Sequence, residues 1–570
     1  MIKRVSVDST AEAYLELLAA RGIEYFFGNA GTDFAPIIEA YARRQAQGQV
    51  LPRPLTVPHE TTAVAMAHGY AMVTGRPQVV MVHVIVGTAN ALAGIINAAR
   101  ALVPMLMTAG RTPLTEGGMP GARNRHIHWA QESFDQAAMV REFVKWDYEL
   151  RMGSQLETVV DRALAIARSE PAGPVYLTLP REVLAERMEE LPYFDPSRVG
   201  PDEATLPDPA AIERAVARLG AATNPIVITK SVGRDPGAVP RLVELAEALG
   251  MPVFEQFSTH LCFPQSHPLH AGVDPTPHLE AADVIVAVES DAPWFPDLKS
   301  PRPETAVIQI GQDPLFSRYP IRGFPVDLGL AGTPRLTLAA LTAVVRRAGL
   351  DPRAIAARRE RWEAEGRRLT AAWAARARAV QGDRPIDMAW LSRCVGDVVD
   401  DATLVVNEYD LDTTQTRLTV PGSYFSQSPA SGLGWGLGAA LGARLAAPDK
   451  TVICCVGDGA YIFGAPTSAH FVSRAYGLPV LFVVFYNRAW NAVKRSVTSH
   501  APEGWAARTG TMVMSELDPA PDYEVICRAS GGYGERVEDP AELPAALARG
   551  LRAVRDEKRQ ALLNVICKKP

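Results

Sequence analysis

The sequence predicts an α/β protein built from three doubly wound domains, each with a parallel sheet. Short runs of apolar and β-branched residues alternate with helix-length segments along the chain, a pattern typical of parallel sheets covered by helices on both faces. The chain has 570 residues, which suits several domains better than one. Hydrophobic residues make up 47% and charged residues 21%, so disordered and fibrous classes are excluded.

Composition indicates where the domains end. Five prolines fall between positions 188 and 209, which indicates a linker there. Residues 346–380 are rich in Arg and Ala with interleaved glutamates, as is typical of a solvated connecting helix. We therefore predict an N-terminal domain at 1–187, a central domain at 188–350, a linker helix at 351–384 and a C-terminal domain at 385–570.

The same alternation predicts the individual elements. Residues 11–20 are expected to form a helix with Ser9 or Thr10 as its N-cap. Strands are predicted at 23–27, 79–84 and 175–179 in the N-terminal domain, at 226–229, 284–288 and 306–310 in the central domain, and at 404–406, 452–456, 480–486 and 563–566 in the C-terminal domain.

Charge and cysteine content restrict the partners and the compartment. The net charge of −5 shows no basic excess, so nucleic acid is not an expected partner. None of the six cysteines forms a CxxC pair, which argues against a zinc site and favours a reducing compartment. The first residues lack the apolar core of a signal peptide, and the most apolar stretch, 79–107, contains polar and charged side chains. We therefore expect a cytoplasmic protein with no membrane partner.

The clearest chemical signal lies in the C-terminal domain. A predicted strand at 452–456 runs into Gly457, Asp458 and Gly459 and then into a helix. Ligands of open α/β sheets bind at the carboxyl ends of strands, and glycines beside a helix N-terminus suit an anion. Asn487 follows the next strand, so it should meet Asp458 at the same sheet edge, where two oxygen ligands beside a diphosphate would suit Mg²⁺. An ordinary strand–helix turn with a loop asparagine is the alternative.

This arrangement resembles the signature of the thiamine-diphosphate-dependent enzymes, in which Gly-Asp-Gly is followed by Asn after the next strand. The resemblance implies a metal held by Asp458, Asn487 and the carbonyl of Ala489, with further cofactor contacts from Gly457, Gly459, Ala460 and Trp490. The family usually carries two asparagines where this chain has Tyr486-Asn487, and the second position is taken as the ligand. The resemblance further identifies the N-terminal domain as pyrimidine-binding and the C-terminal domain as diphosphate-binding.

A second resemblance concerns the acid that activates the cofactor. Segment 58–71 is similar to the family's activating segment, which makes Glu60 the acid beside the aminopyrimidine ring, with Asn90 nearby. A surface glutamate that opens a helix is the alternative for Glu60 alone. In the glycine-rich stretch 431–436, Leu433 would be the wedge that keeps the cofactor bent, although a simple core leucine is the alternative. The remaining implied cofactor contacts are the Ser431 carbonyl and, on the phosphate side, Glu408, Asp410 and Leu411.

Several stretches resemble the benzoylformate decarboxylase group of the family. Segments 27–32, 82–91 and 262–268 are similar to its first loop and to its two segments with catalytic histidines. By that resemblance His83 and His267 form the proton-transfer pair, and Thr32 contacts the substrate carboxylate. Gln131 and Val493 are also expected to line the substrate pocket. Purely structural histidines are the alternative.

Three departures bear on the substrate. Asp410 stands where relatives carry small hydroxyl residues, and because a carboxylate repels a diphosphate we expect its side chain to point away. Ser496 stands where the decarboxylases have an aromatic pocket wall, which argues against a phenyl-bearing substrate. Gln131, in Trp129-Ala130-Gln131, resembles the acetolactate synthase pattern, in which this Gln lies near the active site.

The central domain carries no nucleotide fingerprint. Its first strand is followed by 230–237, which does not match GxGxxG. Some relatives hold FAD, CoA or ADP in this domain, but here we expect a structural domain, with FAD or another nucleotide unlikely to be bound.

The resemblance predicts a thiamine-diphosphate- and Mg²⁺-dependent 2-oxo acid decarboxylase, with carboligase or lyase activity as a further option. An acetolactate synthase-type carboligase using pyruvate and a catalytically silent cofactor-binding paralogue are the alternatives. The expected partner is a small 2-oxo acid or aldehyde. Because the family's pocket lies between the first domain of one chain and the third domain of another, we also expect a homo-oligomer, a dimer or a tetramer.

Overall fold

The N-terminal domain is built on a six-stranded parallel sheet. The computed structural model describes residues 1–49 and 52–569. The strands are β1 (Ile2–Ser6), β2 (Tyr25–Gly28), β3 (Arg53–Thr56), β4 (Val79–Val82), β5 (Met105–Arg111), β6 (Asp147–Glu149), β7 (Pro174–Pro180) and β8 (Glu190–Phe194). The helices are α1 (Thr10–Ala20), α2 (Ala35–Ala46), α3 (Glu60–Thr74), α4 (Val84–Arg100), α5 (Ile127–Ala130), α6 (Leu156–Arg168) and α7 (Arg181–Ala185). The sheet order is β3-β2-β4-β5-β7-β6.

The predicted linker at 188–209 is wrong in part, because it contains a strand. β8 pairs antiparallel with β1, with Ile2 opposite Phe194. Leu191 and Tyr193 point into the core while their neighbours are exposed, the alternation of a half-buried strand. Pro192 is tolerated because this two-stranded sheet leaves it an edge where no N–H is required. The prolines concealed the strand, and β1 was not predicted at all.

The central domain follows with five parallel strands. The strands are β9 (Pro225–Thr229), β10 (Val253–Glu255), β11 (Val284–Val288), β12 (Ala306–Gly311) and β13 (Leu328–Ala331), in the order β10-β9-β11-β12-β13. The helices are α8 (Pro209–Ala221), α9 (Ala238–Leu249) and α10 (Pro334–Val345), and the long α11 (Pro352–Ala379) then lies within the segment predicted as a linker helix.

The C-terminal domain repeats the architecture with six parallel strands. These are β14 (Thr403–Glu408), β15 (Tyr424–Ser426), β16 (Thr451–Gly457), β17 (Leu481–Tyr486), β18 (Tyr533–Val537) and β19 (Ala561–Ile566), in the order β15-β14-β16-β17-β19-β18. The helices are α12 (Met388–Val398), α13 (Trp435–Ala446), α14 (Asp458–Phe463), α15 (Pro466–Tyr476), α16 (Asn491–His500), α17 (Trp505–Thr509), α18 (Tyr523–Ala529) and α19 (Leu543–Arg555). The prediction of three α/β domains with parallel sheets is therefore confirmed.

The N- and C-terminal domains pack together through α3 and α13. A Cβ at Gly69 would collide with the carbonyl of Ala439, and a Cβ at Gly442 would collide with that of Met66. Glycine therefore lets the two helix backbones approach closely. One apolar core runs through this contact and joins the two sheets.

The structure fixes two element boundaries that the sequence left open or misplaced, the start of α1 and the end of β4. Ser9 is the N-cap of α1, as predicted, and accepts a hydrogen bond from the Glu12 N–H at 3.3 Å. The strand predicted at 79–84 ends at Val82 instead, because His83 leaves the sheet and α4 begins at Val84. Within the described part of the chain, no helix is both long and apolar enough to cross a bilayer.

Candidate active site

Asp458 and Asn487 lie at the same edge of the C-terminal sheet. Their strands, β16 and β17, are parallel neighbours, with Gly457 opposite Phe485. Asp458 is the first residue of α14, and Asn487 directly follows β17. The strand order thus brings a carboxylate and an amide to one end of the sheet, where α/β proteins bind ligands.

Asp458 is held in place by backbone donors. Its Oδ1 accepts a hydrogen bond from the Gly459 N–H at 2.9 Å, and its Oδ2 accepts one from the Arg488 N–H at 2.6 Å. Arg488 takes a left-handed conformation, with φ of 59°, which aims its N–H at the carboxylate. Burial raises the pKa of Asp458 to about 6, although these hydrogen bonds act in the opposite direction.

Asn487 presents an unsatisfied oxygen beside this carboxylate. Its Oδ1 is buried and accepts no hydrogen bond from any described residue. Ala489 pairs with Glu516 in an isolated antiparallel bridge. The hydrogen bonds of that bridge are made by its neighbours, since the Trp490 N–H donates to Ser515 and the Arg488 carbonyl accepts from Leu517. The carbonyl of Ala489 itself therefore points away from Glu516. Carboxylate, amide and carbonyl oxygens are the donors that Mg²⁺ prefers, so the residues present fit a divalent cation.

Asp410 does not point away from this edge, and that expectation is wrong. Its Oδ2 lies so close to Gly457 that a Cβ there would collide with it. Burial, together with the nearby Asp458, raises the pKa of Asp410 to about 7, although Arg495 acts in the opposite direction. The loop after β14 therefore adds a second acidic side chain beside Asp458 at this edge of the sheet.

Glu408 supports the loop of the predicted wedge. Its side chain is fully buried, with Oε1 accepting the Gly434 N–H and Oε2 accepting the Gly436 N–H, both at 2.7 Å. These two hydrogen bonds anchor the start of α13, and the cofactor contact expected of Glu408 stays a prediction. Leu433 precedes Gly434 in this loop and is half-buried against the shared core.

The other predicted cofactor residues surround the same edge. The ring of Trp490 lies over Gly459, where a Cβ would come within 2.6 Å of it. Ser431 has a φ of 53°, and its N–H bonds to the Ser428 carbonyl. Leu411 and Ala460 are buried, whereas Val493 is exposed near the start of α16.

The N-terminal domain carries a second group of predicted residues. Glu60 is the first residue of α3, and His59 caps that helix. The Asn90 Nδ2, on α4, donates to Glu60 Oε2 at 2.6 Å. Glu60 is half-buried and Asn90 is exposed, so the acid is accessible from one side.

His83 lies at the carboxyl end of β4 between two partners. Its Nδ1 is 2.5 Å from Asp33 Oδ1, and its Nε2 is 3.2 Å from Gln131 Nε2. The hydrogen bond to Asp33 raises the pKa of His83, although partial burial lowers it. Gln131, singled out by a different resemblance, therefore contacts the predicted proton-transfer residue.

Three functional candidates here were missed from the sequence. Thr32 Oγ1 lies 3.4 Å from Nε2 of His128, a buried histidine whose pKa is lowered by burial and by nearby arginines. Arg181 donates to the carbonyls of Gly121 and Ala122 at 2.8 Å and lines the same narrow cleft. Asp33 is the third. Each lies far along the chain from its partners, so no local spacing signals it.

The structure does not bring His267 to His83 within one chain. His267 lies in the central domain, where its Nε2 is 3.4 Å from Glu247 Oε1 and its ring contacts Phe263. Its assignment to the proton-transfer pair stays a prediction.

A large cavity lies elsewhere, between the central and N-terminal domains. It has a volume of about 720 Å³ and opens at the carboxyl ends of β9, β11 and β12. Of the cations that line it, Arg234 lies 2.8 Å from Glu170, whereas Arg100, Lys145 and Arg318 donate hydrogen bonds to backbone carbonyls. The sheet edge with Asp458 and Asn487 and the His83 cleft lie outside it.

The fold and these two groups of residues define a class of cofactor-dependent enzyme. The chain matches the thiamine pyrophosphate enzyme models for the N-terminal binding domain at 8–139, the central domain at 212–341 and the C-terminal binding domain at 409–565. These matches cover more than half of the chain. The chain belongs to the thiamine-pyrophosphate-dependent enzymes, and two of its domains are cofactor-binding domains.

Curated relatives have different activities. The chain is 28% identical to a sulfoacetaldehyde acetyltransferase of Rhodobacter capsulatus, over 95% of this chain and 92% of the relative. It is also 28% identical to a benzoylformate decarboxylase of Pseudomonas aeruginosa, over 95% and 96%. A third relative, the acetolactate synthase isozyme 3 large subunit of Escherichia coli, is 25% identical over 96% and 93%.

A solved structure shares the whole fold. The 4-hydroxybenzoylformate decarboxylase of Rhodococcus jostii superposes with a TM-score of 0.77, with 99% of each chain covered and 23% identity. This likeness shows the common fold of the two chains.

Proposed function

We propose that this protein is a Mg²⁺- and thiamine-diphosphate-dependent 2-oxo acid decarboxylase. The observation that carries the choice is His83, a histidine held by Asp33 at a strand end and open toward the cleft of Thr32 and Gln131. A decarboxylase has to return a proton after CO₂ leaves, and a histidine with a pKa near neutrality suits that step. Two relatives with decarboxylase names support the proposal.

The C-terminal residues would hold the cofactor. Asp458, Asn487 and the Ala489 carbonyl would supply oxygen ligands for Mg²⁺, and backbone N–H groups at the start of α14 would be available to the diphosphate. Leu433 would wedge beneath the cofactor, on a loop that Glu408 fixes. When bound, thiamine diphosphate supplies a nucleophilic ring carbon and an electron sink.

The N-terminal residues would handle protons and substrate. Glu60, oriented by Asn90, holds a proton at the aminopyrimidine ring. His83 exchanges a proton with the substrate through Nε2, and Thr32 binds the substrate carboxylate. The exposed Val493 adds an apolar surface, and His267 can join the site only across a subunit contact.

A second copy of the chain would complete the site. No hydrogen bond or ion pair among residues 1–49 and 52–569 joins the Glu60–His83 group to the Asp458–Asn487 group. Large apolar side chains are exposed around both groups, Trp129 and Phe134 on one side and Trp505 and Met514 on the other. Apolar surface of this kind is typical of subunit interfaces, which supports a dimer or a dimer of dimers.

An acetolactate synthase-type carboligase is the second candidate. Its support is Gln131, which lies 3.2 Å from His83 and falls in a segment that resembles the synthases. The products separate the two reactions, because a decarboxylase releases an aldehyde and a synthase joins two pyruvates.

The test is CO₂ release from a panel of 2-oxo acids with thiamine diphosphate and Mg²⁺ present. Aliphatic and aromatic acids should both be included, with aldehyde and acetolactate measured in parallel. We expect CO₂ and an aldehyde from at least one acid. Acetolactate as the main product would favour the second candidate, and cofactor binding without any turnover would favour a silent paralogue.

A further inference from the structure

We propose that Asp33 is the positioning residue of His83, fixing a proton on Nδ1 and leaving Nε2 as the atom that exchanges a proton with the substrate. Asp33 follows the first strand of the N-terminal sheet, and His83 follows a neighbouring parallel strand. The proposal rests on the proposed function for the identity of the substrate, but the state of His83 can be measured without substrate.

The hydrogen bonding of Asp33 assigns the ring proton. An ionised carboxylate only accepts hydrogen bonds, so the 2.5 Å contact between Asp33 Oδ1 and His83 Nδ1 requires a proton on Nδ1. The second oxygen, Oδ2, accepts the Val84 N–H at 3.4 Å. Asp33 thus binds the ring and the backbone residue that follows it.

Two glycines leave the space that the Asp33 and His83 side chains occupy. A Cβ at Gly31 would collide with the His83 ring, and a Cβ at Gly110 would collide with Asp33 Oδ2. Val84 has a φ of 35°, an unfavourable conformation for a β-branched residue, and it begins the helix that His83 caps. Strain of this kind persists where the neighbouring structure enforces it, and it clusters at functional sites.

The other ring nitrogen faces the cleft. Gln131 Nε2 lies 3.2 Å from His83 Nε2, so the amide donates to the lone pair of the neutral ring. Gln131 Oε1 is buried without a partner among the described residues and can accept from Nε2–H once the ring is charged and the amide turns. The proton therefore moves between Nε2 and the substrate, the Nδ1 proton stays in place, and no electron is transferred.

The charges around the ring are mixed. Asp33 and Glu60 raise the pKa of His83, whereas burial lowers it. Arg111, Arg181 and His128 line the same cleft, and positive charge there disfavours a charged His83. Asp33 makes the only direct carboxylate contact with the ring among the described residues, so its removal should have the largest effect.

The experiment measures the histidine itself. Protein labelled with ¹⁵N-histidine would be titrated by NMR as wild type and as Asp33→Asn, with His83→Gln identifying the signal. In the wild type we expect the neutral ring to carry its proton on Nδ1. In Asp33→Asn we expect the pKa of His83 to fall by about one unit or more and the proton to shift toward Nε2. Gln131→Leu is the control, because it removes the partner of Nε2 and should leave the proton on Nδ1.

Kinetics provide a second readout. With a 2-oxo acid that the enzyme accepts, Asp33→Asn should lower kcat about a hundredfold and move the alkaline limb of the pH profile to lower pH, with KM much less affected. If Asp33→Asn does not fold, judged by circular dichroism, Asp33→Ser takes its place. An unchanged pKa and tautomer of His83 in the folded variant would overturn the proposal. Failure of every 2-oxo acid would count against the proposed function, while the NMR titration would still decide the role of Asp33.

Discussion

Asp458 and Asn487 follow neighbouring parallel strands, and only Asp458 has hydrogen-bond partners for its side-chain oxygens. Asp458 accepts two backbone hydrogen bonds, whereas Asn487 Oδ1 is buried without a partner among the described residues. A buried polar atom left unpaired costs about 1–3 kcal/mol, so its retention indicates a ligand that pairs with it. The proposed Mg²⁺ would take an oxygen ligand from each of the two side chains.

Asn487→Leu should separate stability from binding. The substitution removes an unpaired buried amide of similar size, so the free energy of unfolding of the cofactor-free protein should stay the same or rise by about 1 kcal/mol. Affinity for thiamine diphosphate with Mg²⁺ should fall at least about tenfold, because a metal ligand is lost. Calorimetric titration and thermal unfolding measure the two effects. Equal cofactor affinity in variant and wild type would contradict the ligand assignment.

Glu408→Gln should change how stability depends on pH. Burial raises the pKa of Glu408 to about 7, while an unfolded chain has a Glu pKa of about 4.3. The folded state therefore binds more protons between about pH 4 and pH 7, and this residue's contribution to stability is lost as pH rises through that window. Glutamine cannot ionise, so the Tm of the variant minus that of the wild type should become more positive from pH 5 to pH 7.5. A difference that is constant or falls with pH would contradict this account; Glu244→Gln, a change in a surface ion pair on α9, is the control.

Strand order made part of the site predictable. Asp458 and Asn487 could be placed together because their strands are consecutive and parallel, so their carboxyl ends share an edge. Glu60 and His83 were identified by the family resemblance, because each lies in a short segment that is similar to a segment of the family. The fold class followed from the alternation of strands and helices.

Contacts between distant segments were not predictable. Asp33 meets His83 across 50 residues, and Glu408 meets Gly434 across 26, so neither partner is visible in a local pattern. Asp410 was expected to avoid a diphosphate, but burial and Arg495 allow an acid there. The strand β8 was not predicted because its partner, β1, lies at the other end of the domain in the sequence.

The central cavity should hold no nucleotide. Four carboxylates line it, those of Glu142, Glu289, Asp291 and Asp313, and its Arg234 is already held by Glu170, so a phosphate would meet negative charge there. Purified protein should show no flavin absorbance and release no nucleotide on denaturation, and ADP should give no heat in a calorimetric titration. Stoichiometric flavin or ADP in the wild type would contradict the prediction.

Glu60→Gln tests the central claim most directly, through the rate of CO₂ release from an accepted 2-oxo acid with thiamine diphosphate and Mg²⁺ saturating. The glutamine can keep the hydrogen bond from Asn90 but cannot exchange the proton that the cofactor ring requires. We expect the variant to take up cofactor, measured by calorimetry, and to release CO₂ at least about a hundredfold more slowly than the wild type and the Glu244→Gln control. A variant that binds cofactor and releases CO₂ at the wild-type rate would contradict the account.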